Sequence, residues 1–277
     1  MKDYHKLLFP YAYNILGSSD DAKDAVQDVL VNYVTLPKEV IQNEKAFLVK
    51  SVVNRALTMR TRSRKFTHED VWLPEPIATE RADTNTNLKD ILSYSMLILL
   101  EQLTAKERAV FILKEAFDYS HQEISEVLSS TVEHSRKLFS RAKNKIKPNE
   151  HPRLTVTAKL SANLLDNFIG VIRNRDIAGL ESLITKDIAF YADGGKTLNV
   201  TKKLCIGANA VVDLLLYVYH TYQAGLTIIP SEINHQPALL YYDNDKLINC
   251  QVFELTDDNS IRQISNILDP EKIKRII

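Results

Sequence analysis

Residues 119–146 read YSHQEISEVLSSTVEHSRKLFSRAKNKI. Ser120 and Glu123 stand three apart, the spacing of a capping box, and Ile124, Val127 and Leu128 follow as an apolar stripe at helical period. Ser129 to Thr131 form a polar turn, and Thr131 is placed to cap a second helix. In that helix Val132, Ser135, Leu138, Phe139 and Ala142 face inward, while Arg136, Lys137, Arg141, Lys143 and Lys145 project outward. Two short helices about such a turn predict a helix-turn-helix, and cations on the outer face suit a helix lying in a major groove beside phosphates. An ordinary antiparallel helix pair with a solvated basic face shares the same pattern. Ser129 also stands where many such turns carry glycine.

Upstream, Thr104 and Glu107 make another capping box, opening a helix expected over Ala105 to Phe117. The unit is therefore trihelical and ends in its basic member. The chain has 277 residues, comfortable for two domains, with 45% hydrophobic and 25% charged residues, an ordinary globular balance. No apolar run reaches the length of a membrane span and no basic-then-apolar leader opens the chain, so the expected location is the cytoplasm. Cys205 and Cys250 lack metal-ligand spacing and read as buried thiols. Net charge is zero, so nucleic-acid binding would have to come from local patches.

Met1 to about Lys65 reads as helical. The expected helices are Lys6 to Leu16, ending at Gly17; Asp20 to Thr35, capped by Ser19 and stopped by Pro37; and Glu44 to Arg62. Arg60, Arg62, Arg64 and Lys65 crowd the end of the third. They serve either to complement its dipole or to face phosphates. Pro74, Pro76 and the polar run 79–87 read as a linker, followed by a helix from Leu88 to Glu101. Beyond Pro148 to Pro152 the pattern becomes mixed. Helices are expected at Thr155 to Arg173, Ile177 to Ile184 and Ala208 to Tyr222, with strands at Ile188 to Ala192, Leu226 to Ile233, Ala238 to Tyr242, Leu247 to Leu255 and Ile261 to Leu268. A further segment lies around Leu198 to Ile206, and Asp269 to Ile277 is a last helix. Helices followed by antiparallel strands imply an α+β layer with a curved sheet around helices.

Residues 13–28, YNILGSSDDAKDAVQD, resemble the opening of region two of sigma-70-type factors of the extracytoplasmic-function (ECF) group. Residues 72–76 (WLPEP), 103–111 (LTAKERAVF) and 193–196 (DGGK) look like its SigJ-type subgroup, whose C-terminal extension is SnoaL-like. The resemblance spans nearly the whole chain in the right order. It implies a multidomain fold: two all-α sigma domains, the second a helix-turn-helix, then an α+β SnoaL-like cone of the nuclear-transport-factor type. The boundaries are 1–66 for region 2, 67–87 for the linker, 88–148 for region 4 and 153–277 for the cone.

By the same resemblance the chain is a dissociable promoter-recognition subunit of RNA polymerase, monomeric, with no cofactor, metal or catalytic residue. Its partners are core polymerase, through the β′ clamp helices and the β flap, and promoter DNA. Asp21, Asp24, Gln27 and Asp28 would touch the polymerase, with Lys23 where the family usually has an acid. Asn54, Arg55, Arg60, Arg62 and Arg64 would approach the minus-ten element; Phe47, where the family often has Trp, reads as core. Thr131, Glu133, Ser135, Arg136, Lys137 and Arg141 would serve the minus-thirty-five element, Lys and Arg suiting guanine and Glu suiting cytosine. Asp193, Gly194, Gly195 and Lys196 would form the regulatory contact between domains, the family having one more glycine there. The family's closing Asn-Pro-Asp-Lys-Leu motif is shifted within Asn266 to Ile273. A short tether makes even a weak interface effective, and a small-molecule ligand in the cone would shift the docking equilibrium.

Two other classes remain open on the residues. A ligand-controlled helix-turn-helix regulator would bind duplex DNA without polymerase. A SnoaL-like enzyme with a DNA-binding appendage would use Asp193 as general base, assisted by Tyr191, Tyr217, His220, Tyr222 and His235; no second acid pairs with Asp193 in the sequence.

Overall fold

The computed structural model describes residues 4–37, 41–63, 72–80, 86–146, 158–195, 204–274 and 276. These fall into two compact units. The first holds the described residues up to 63 together with 86–92 and 96–146; the second holds 72–80, 93–95 and everything described from 158 onward.

The first unit is all helix. α1 (Tyr4–Leu16) buries every residue from Leu8 to Leu16, and its C-terminus is closed by Gly17 in the left-handed region, φ 75°, with Gly17 N–H bonded to the Tyr13 carbonyl. α2 (Ser19–Thr35) is capped by Ser18 rather than Ser19, the Ser18 hydroxyl accepting from Asp21 N–H at 3.2 Å. α3 (Glu44–Ser63) packs Leu48, Val49, Val52, Val53 and Ala56 inward. Phe47, expected in the core, is only half-buried, its ring tilted against Tyr33 of α2 with centroids 6.4 Å apart.

The helix expected over Leu88 to Glu101 is broken into α4 (Thr86–Lys89), α5 (Tyr94–Leu99) and one 3-10 turn, Leu100–Gln102. Asn14 of α1 enters the break, its Nδ2 donating to the Asp90 carbonyl and its Oδ1 accepting from Leu92 N–H, so the side chain replaces the helical ladder there. α6 (Ala105–Glu115), α7 (His121–Val127) and α8 (Val132–Lys145) follow, and both capping boxes form as the spacing predicts.

The second unit is a six-stranded sheet with its three longest described helices packed on one face. α9 (Ala158–Arg173) and α10 (Ile177–Leu183) precede β1 (Ile184–Asp193); β2 (Cys205–Ile206), α11 (Ala208–Val218), β3 (Thr227–Ile233), β4 (Gln236–Asp243), β5 (Lys246–Leu255), β6 (Ile261–Ile267) and α12 (Pro270–Ile273) follow. The strand order is β2-β1-β6-β5-β4-β3. The sheet is mixed, not wholly antiparallel as expected: β1 and β6 run parallel, because the chain between them crosses over through α11. Helix-facing residues Leu239, Tyr241, Phe253, Ile264 and Phe190 pack on Phe168, Leu215 and Tyr219 to form the core.

β1 extends four residues earlier than expected, β4 starts at Gln236, and the terminal helix is a single turn. Residues 198–203 and 155–157 of the expected elements lie outside the described residues. Both faces of the central strands are buried, and on β5 this takes in the polar residues Asn249, Gln251 and Glu254.

Candidate functional site

Thr131 accepts from His134 N–H at 3.1 Å and starts α8, while Ser129 supplies the turn by adopting φ 49°, the conformation a glycine would take without strain. Glu133, Arg136, Lys137 and Arg141 are all exposed on α8. Lys137 is paired with Glu133 at 2.7 Å on the helix surface. Ser135 is fully buried and its hydroxyl meets His121 Nδ1 at 2.9 Å, so it ties α8 to α7 and presents nothing outward. Burial, then the charges of Lys114 and Arg136, lower the His121 pKa, which favours the neutral ring in that contact.

On α2, Asp21, Asp24, Gln27 and Asp28 are exposed along one face, as is Lys23. Partial desolvation and the neighbouring Asp24 raise the Asp21 carboxyl. Asp28 is engaged by Arg55 of α3, whose Nε donates at 2.8 Å.

The residues expected near the minus-ten element divide. Arg62 is exposed and Arg64 lies outside the described residues. Asn54 donates to the Val127 carbonyl at 2.8 Å, so it faces α7. Arg60 is buried, donating to the Leu16 carbonyl at 3.0 Å and to Glu101 Oε2 at 2.8 Å. Glu101 also pairs with Arg108, which is fully buried and donates from Nε to the Asn14 carbonyl at 2.8 Å. Burial pushes the Glu101 carboxyl up, but Arg108 and Arg60 together hold it below its ordinary value. The cluster joins α1, α3 and α6 through the 3-10 turn. Helical spacing reveals none of this, because the partners are 41 and 94 residues apart.

In the second unit Asp193 ends β1 and is 5% exposed. Its Oδ1 accepts from Gly195 N–H at 2.9 Å, and its Oδ2 accepts from Leu73 N–H at 2.8 Å and from Lys272 Nζ at 2.6 Å. Lys272 also donates to the Leu73 carbonyl at 2.7 Å and lies 4.6 Å from the Trp72 ring centroid. One peptide unit of the WLPEP segment is thus gripped at both its N–H and its C=O. Further along, Ile77 exchanges hydrogen bonds with Asn234, Thr79 bonds Glu232, and Ala78 bridges Ile233, so the segment covers the end of the β3 edge.

Gly194 is buried, and Lys196 lies outside the described residues. The cation that answers Asp193 is Lys272, within the run Asp269-Pro-Glu-Lys-Ile273; Asp269 caps α12 by accepting from Glu271 N–H at 3.0 Å. The shifted Asn-Pro-Asp-Lys-Leu ending read within Asn266 to Ile273 was the signal available for it.

The groups considered as catalytic assistants do not converge. Tyr217 and Tyr222 pair with each other on the surface, His220 meets the Ile172 carbonyl, and His235 is a turn residue with φ 60° in the Asn234-His235 hairpin. Both oxygens of Asp193 are already engaged. Among the described residues no cluster of His, Cys, Asp or Glu is arranged for a metal, and no helix is long and apolar enough to cross a membrane.

The model of "Sigma-70 region 2" matches residues 1–66 and that of "Sigma-70, region 4" matches residues 96–146, the two parts that build the helical unit. The chain belongs to the sigma-70 family. This sigma factor is 27% identical over 229 residues to the ECF RNA polymerase sigma factor SigJ of Mycobacterium tuberculosis, covering 79% of this chain and 72% of that one. It is 23% identical over 274 residues to the probable ECF RNA polymerase sigma factor SigI of the same species, covering 96% and 91%. The crystal structure of SigJ superposes with a TM-score of 0.75 at 20% identity, over 97% of this chain and 95% of that one. The sigma factor is of the ECF type, with an α+β SnoaL-like domain after its two helical regions. Its family consists of transcription initiation factors that bind core RNA polymerase and promoter DNA and are not enzymes.

Proposed function

We propose that the SnoaL-like domain modulates this sigma factor by holding the segment between regions 2 and 4. The observation that carries the reading is the grip of Asp193 and Lys272 on both polar groups of the Leu73 peptide. Residues 72–80 do not behave as a free linker, since the cone supplies their hydrogen bonds. A chain that must reposition regions 2 and 4 has to do so through this segment.

Repositioning is required on length alone. The minus-ten and minus-thirty-five elements lie about 25 base pairs apart, on the order of 80 Å of duplex. Asn54 of α3, however, touches the helix-turn-helix at 2.8 Å through Val127. The helical unit as described holds its two DNA readers too close to span a promoter, and the Glu101 cluster is the joint that has to part. Once parted, it exposes Arg60 for the minus-ten role expected of it. Arg136, Lys137, Glu133 and Arg141 serve the minus-thirty-five element, Thr131 fixing the start of their helix, while Ser135 supports it from within. Asp21, Asp24, Gln27 and Asp28 meet the β′ clamp helices, with the β flap as the second polymerase contact. The factor acts in the cytoplasm and as a monomer.

The test is co-elution of the full-length chain with core RNA polymerase, followed by transcription from its promoter with wild type and Lys272→Ala. Co-elution with an altered transcript yield in the variant is the expected result. Failure to co-elute removes the polymerase role; unchanged yield removes the modulating role.

A further inference from the structure

Three polar atoms on the helix-facing side of the sheet have no hydrogen-bond partner among the described residues: Asn249 Nδ2, Asn249 Oδ1 and Asn266 Oδ1. Asn249 is 1% exposed and Asn266 3%. Strand register places them together. Tyr241 lies opposite Asn249, and Gln251 lies opposite both Leu239 and Asn266. Asn249 and Asn266 are therefore diagonal neighbours on one face, roughly 7–8 Å apart at Cα, within reach of one bridging molecule.

The same face presents Leu239, Phe253, Ile264 and Phe190 to the helices, so the polar row is set in an apolar wall. Gln251 Oε1 is already used by the Tyr241 hydroxyl at 2.8 Å. Opposite the row, α11 does not end as an ordinary helix: Tyr219–Gln223 form a π-helical turn with Tyr219 buried in the core. Such turns recur at functional sites because the extra residue widens the ladder and re-aims a side chain. Tyr219 shares the core cluster with Tyr241, whose hydroxyl is pushed up first by burial and then by Tyr219.

A buried amide left without partners carries the full desolvation penalty of its polar atoms and calls for an explanation. We propose that Asn249 and Asn266, with Tyr241 and Tyr219 alongside, form a binding site in the cone for a small neutral molecule carrying a carbonyl beside an N–H: a carboxamide or lactam.

Complementarity sets the class. Asn249 presents an NH2 group and a carbonyl oxygen side by side, an edge that a cis amide matches with its own C=O and N–H, and Asn266 Oδ1 asks for a further donor. Charge excludes ions. The buried charged residues described in this unit are Asp193, Glu254 and Lys272. Asp193 and Lys272 are paired with each other, Glu254 is paired with Arg262, and Glu254 alternates with Phe253 on β5 and so faces the other side of the sheet. Arg173, whose charge acts on the Tyr241 phenol, is exposed. A charged ligand would thus lie in the apolar wall without a buried counter-ion. The consequence of binding rests on the regulatory reading above. Asn266 is three residues before Asp269, and Leu268 and Asp269 N–H both bond the Asp193 carbonyl, at 2.7 and 3.1 Å, so the site adjoins the grip on Leu73.

The probe is δ-valerolactam, a six-membered ring with its C=O and N–H cis, titrated into the full-length chain while the side-chain amide signals of Asn249 and Asn266 are followed by NMR. Saturable shifts of both signals are expected. Cyclohexanone, of the same size but lacking the donor, should bind at least about tenfold more weakly, the equivalent of 1.4 kcal/mol. Asn249→Leu should abolish the lactam-induced shift at Asn266. No shift with the lactam, as when the amides hold only ordered water, overturns the site. Equal binding of lactam and cyclohexanone overturns the recognition chemistry, and needs no variant to fold. The titration involves no polymerase, so loss of core binding would sink the sigma reading while leaving this result intact.

Discussion

Lys272 Nζ lies 2.6 Å from Asp193 Oδ2 and 2.7 Å from the Leu73 carbonyl, with Asp193 5% and Lys272 8% exposed. Because both charges are out of water, removing either leaves the other uncompensated. Lys272→Ala should destabilise the second unit by about 3–5 kcal/mol, whereas exchanging both for apolar residues, Lys272→Met with Asp193→Leu, should cost markedly less than the sum of the two single changes. Urea unfolding measures the loss. Trp72 is the sole tryptophan and lies against Lys272, so its emission reports the local effect. A single variant with wild-type stability would show the pair to be incidental.

Gly195 is fixed by two constraints at once. Its φ is 62°, and a Cβ there would lie 2.5 Å from the Asp269 carboxyl carbon, on the residue that caps α12. Gly195→Ala should therefore cost on the order of 1–3 kcal/mol and shift Trp72 emission in the same direction as Lys272→Ala, because displacing Asp269 displaces Lys272. An alanine variant with unchanged emission would uncouple the turn from the grip.

How much of this was legible in the chain depends on the range of the interaction. The capping boxes at Thr104 and Ser120, the cap at Thr131 and the basic face of α8 are set by residues three or four apart, and all appear as their spacing implies. The cationic run of Arg60, Arg62, Arg64 and Lys65 leaves dipole complementation and phosphate contact equally open, and the family resemblance assigns Arg60 to the minus-ten element; its burial is decided by Glu101 and Leu16, which no local pattern connects to it. Ser135 was readable as inward from the helical period, and the family resemblance pulled it outward. Asp193 carried its own signal in the DGGK turn, but the described partner of its carboxylate, Lys272, sits 79 residues on. The parallel pairing of β1 with β6 was hidden for the same reason: strand patterns report faces, and the crossover decides direction.

Glu101 joins Arg60 and Arg108; burial pushes its carboxyl up, but the two guanidinium groups together hold it below the ordinary value. A depressed carboxylate contributes stability that is present above its unfolded pKa and lost as pH falls through the folded one. Glu101→Gln should destabilise the helical unit by about 3 kcal/mol at neutral pH, since Arg108 is fully buried. Well below about pH 4.3 the wild-type carboxyl is itself protonated and the difference should shrink. Denaturant unfolding at the two pH values checks this. A penalty independent of pH would mean that shape, not charge, holds the joint.

Ser129 holds φ 49° between α7 and α8, a conformation that costs an L-residue roughly 1–2 kcal/mol and glycine little. Part of the gain from Ser129→Gly is offset by the greater entropy of the unfolded chain, so the net stabilisation should be up to about 1 kcal/mol. Thermal unfolding should show a raised Tm with DNA binding retained. A lowered Tm would mean that the serine makes a compensating bond.

Arg136 and Arg141 are both exposed on α8, five residues apart, and their expected roles differ. Arg136 sits near the N-terminal end that a helix-turn-helix points at base edges, whereas Arg141 lies further along, where the duplex backbone passes. Arg136→Ala should cost about 1–3 kcal/mol of promoter binding and relax specificity in the minus-thirty-five element; Arg141→Ala should weaken binding evenly across sequences and reduce the salt dependence by about one phosphate contact. With zero net charge over the chain, no global field can mask the loss of either cation. Binding of polymerase holoenzyme to promoter variants across a salt series separates the two roles. Normal transcription and unchanged sequence preference with Arg136→Ala would remove α8 as the reader of that element.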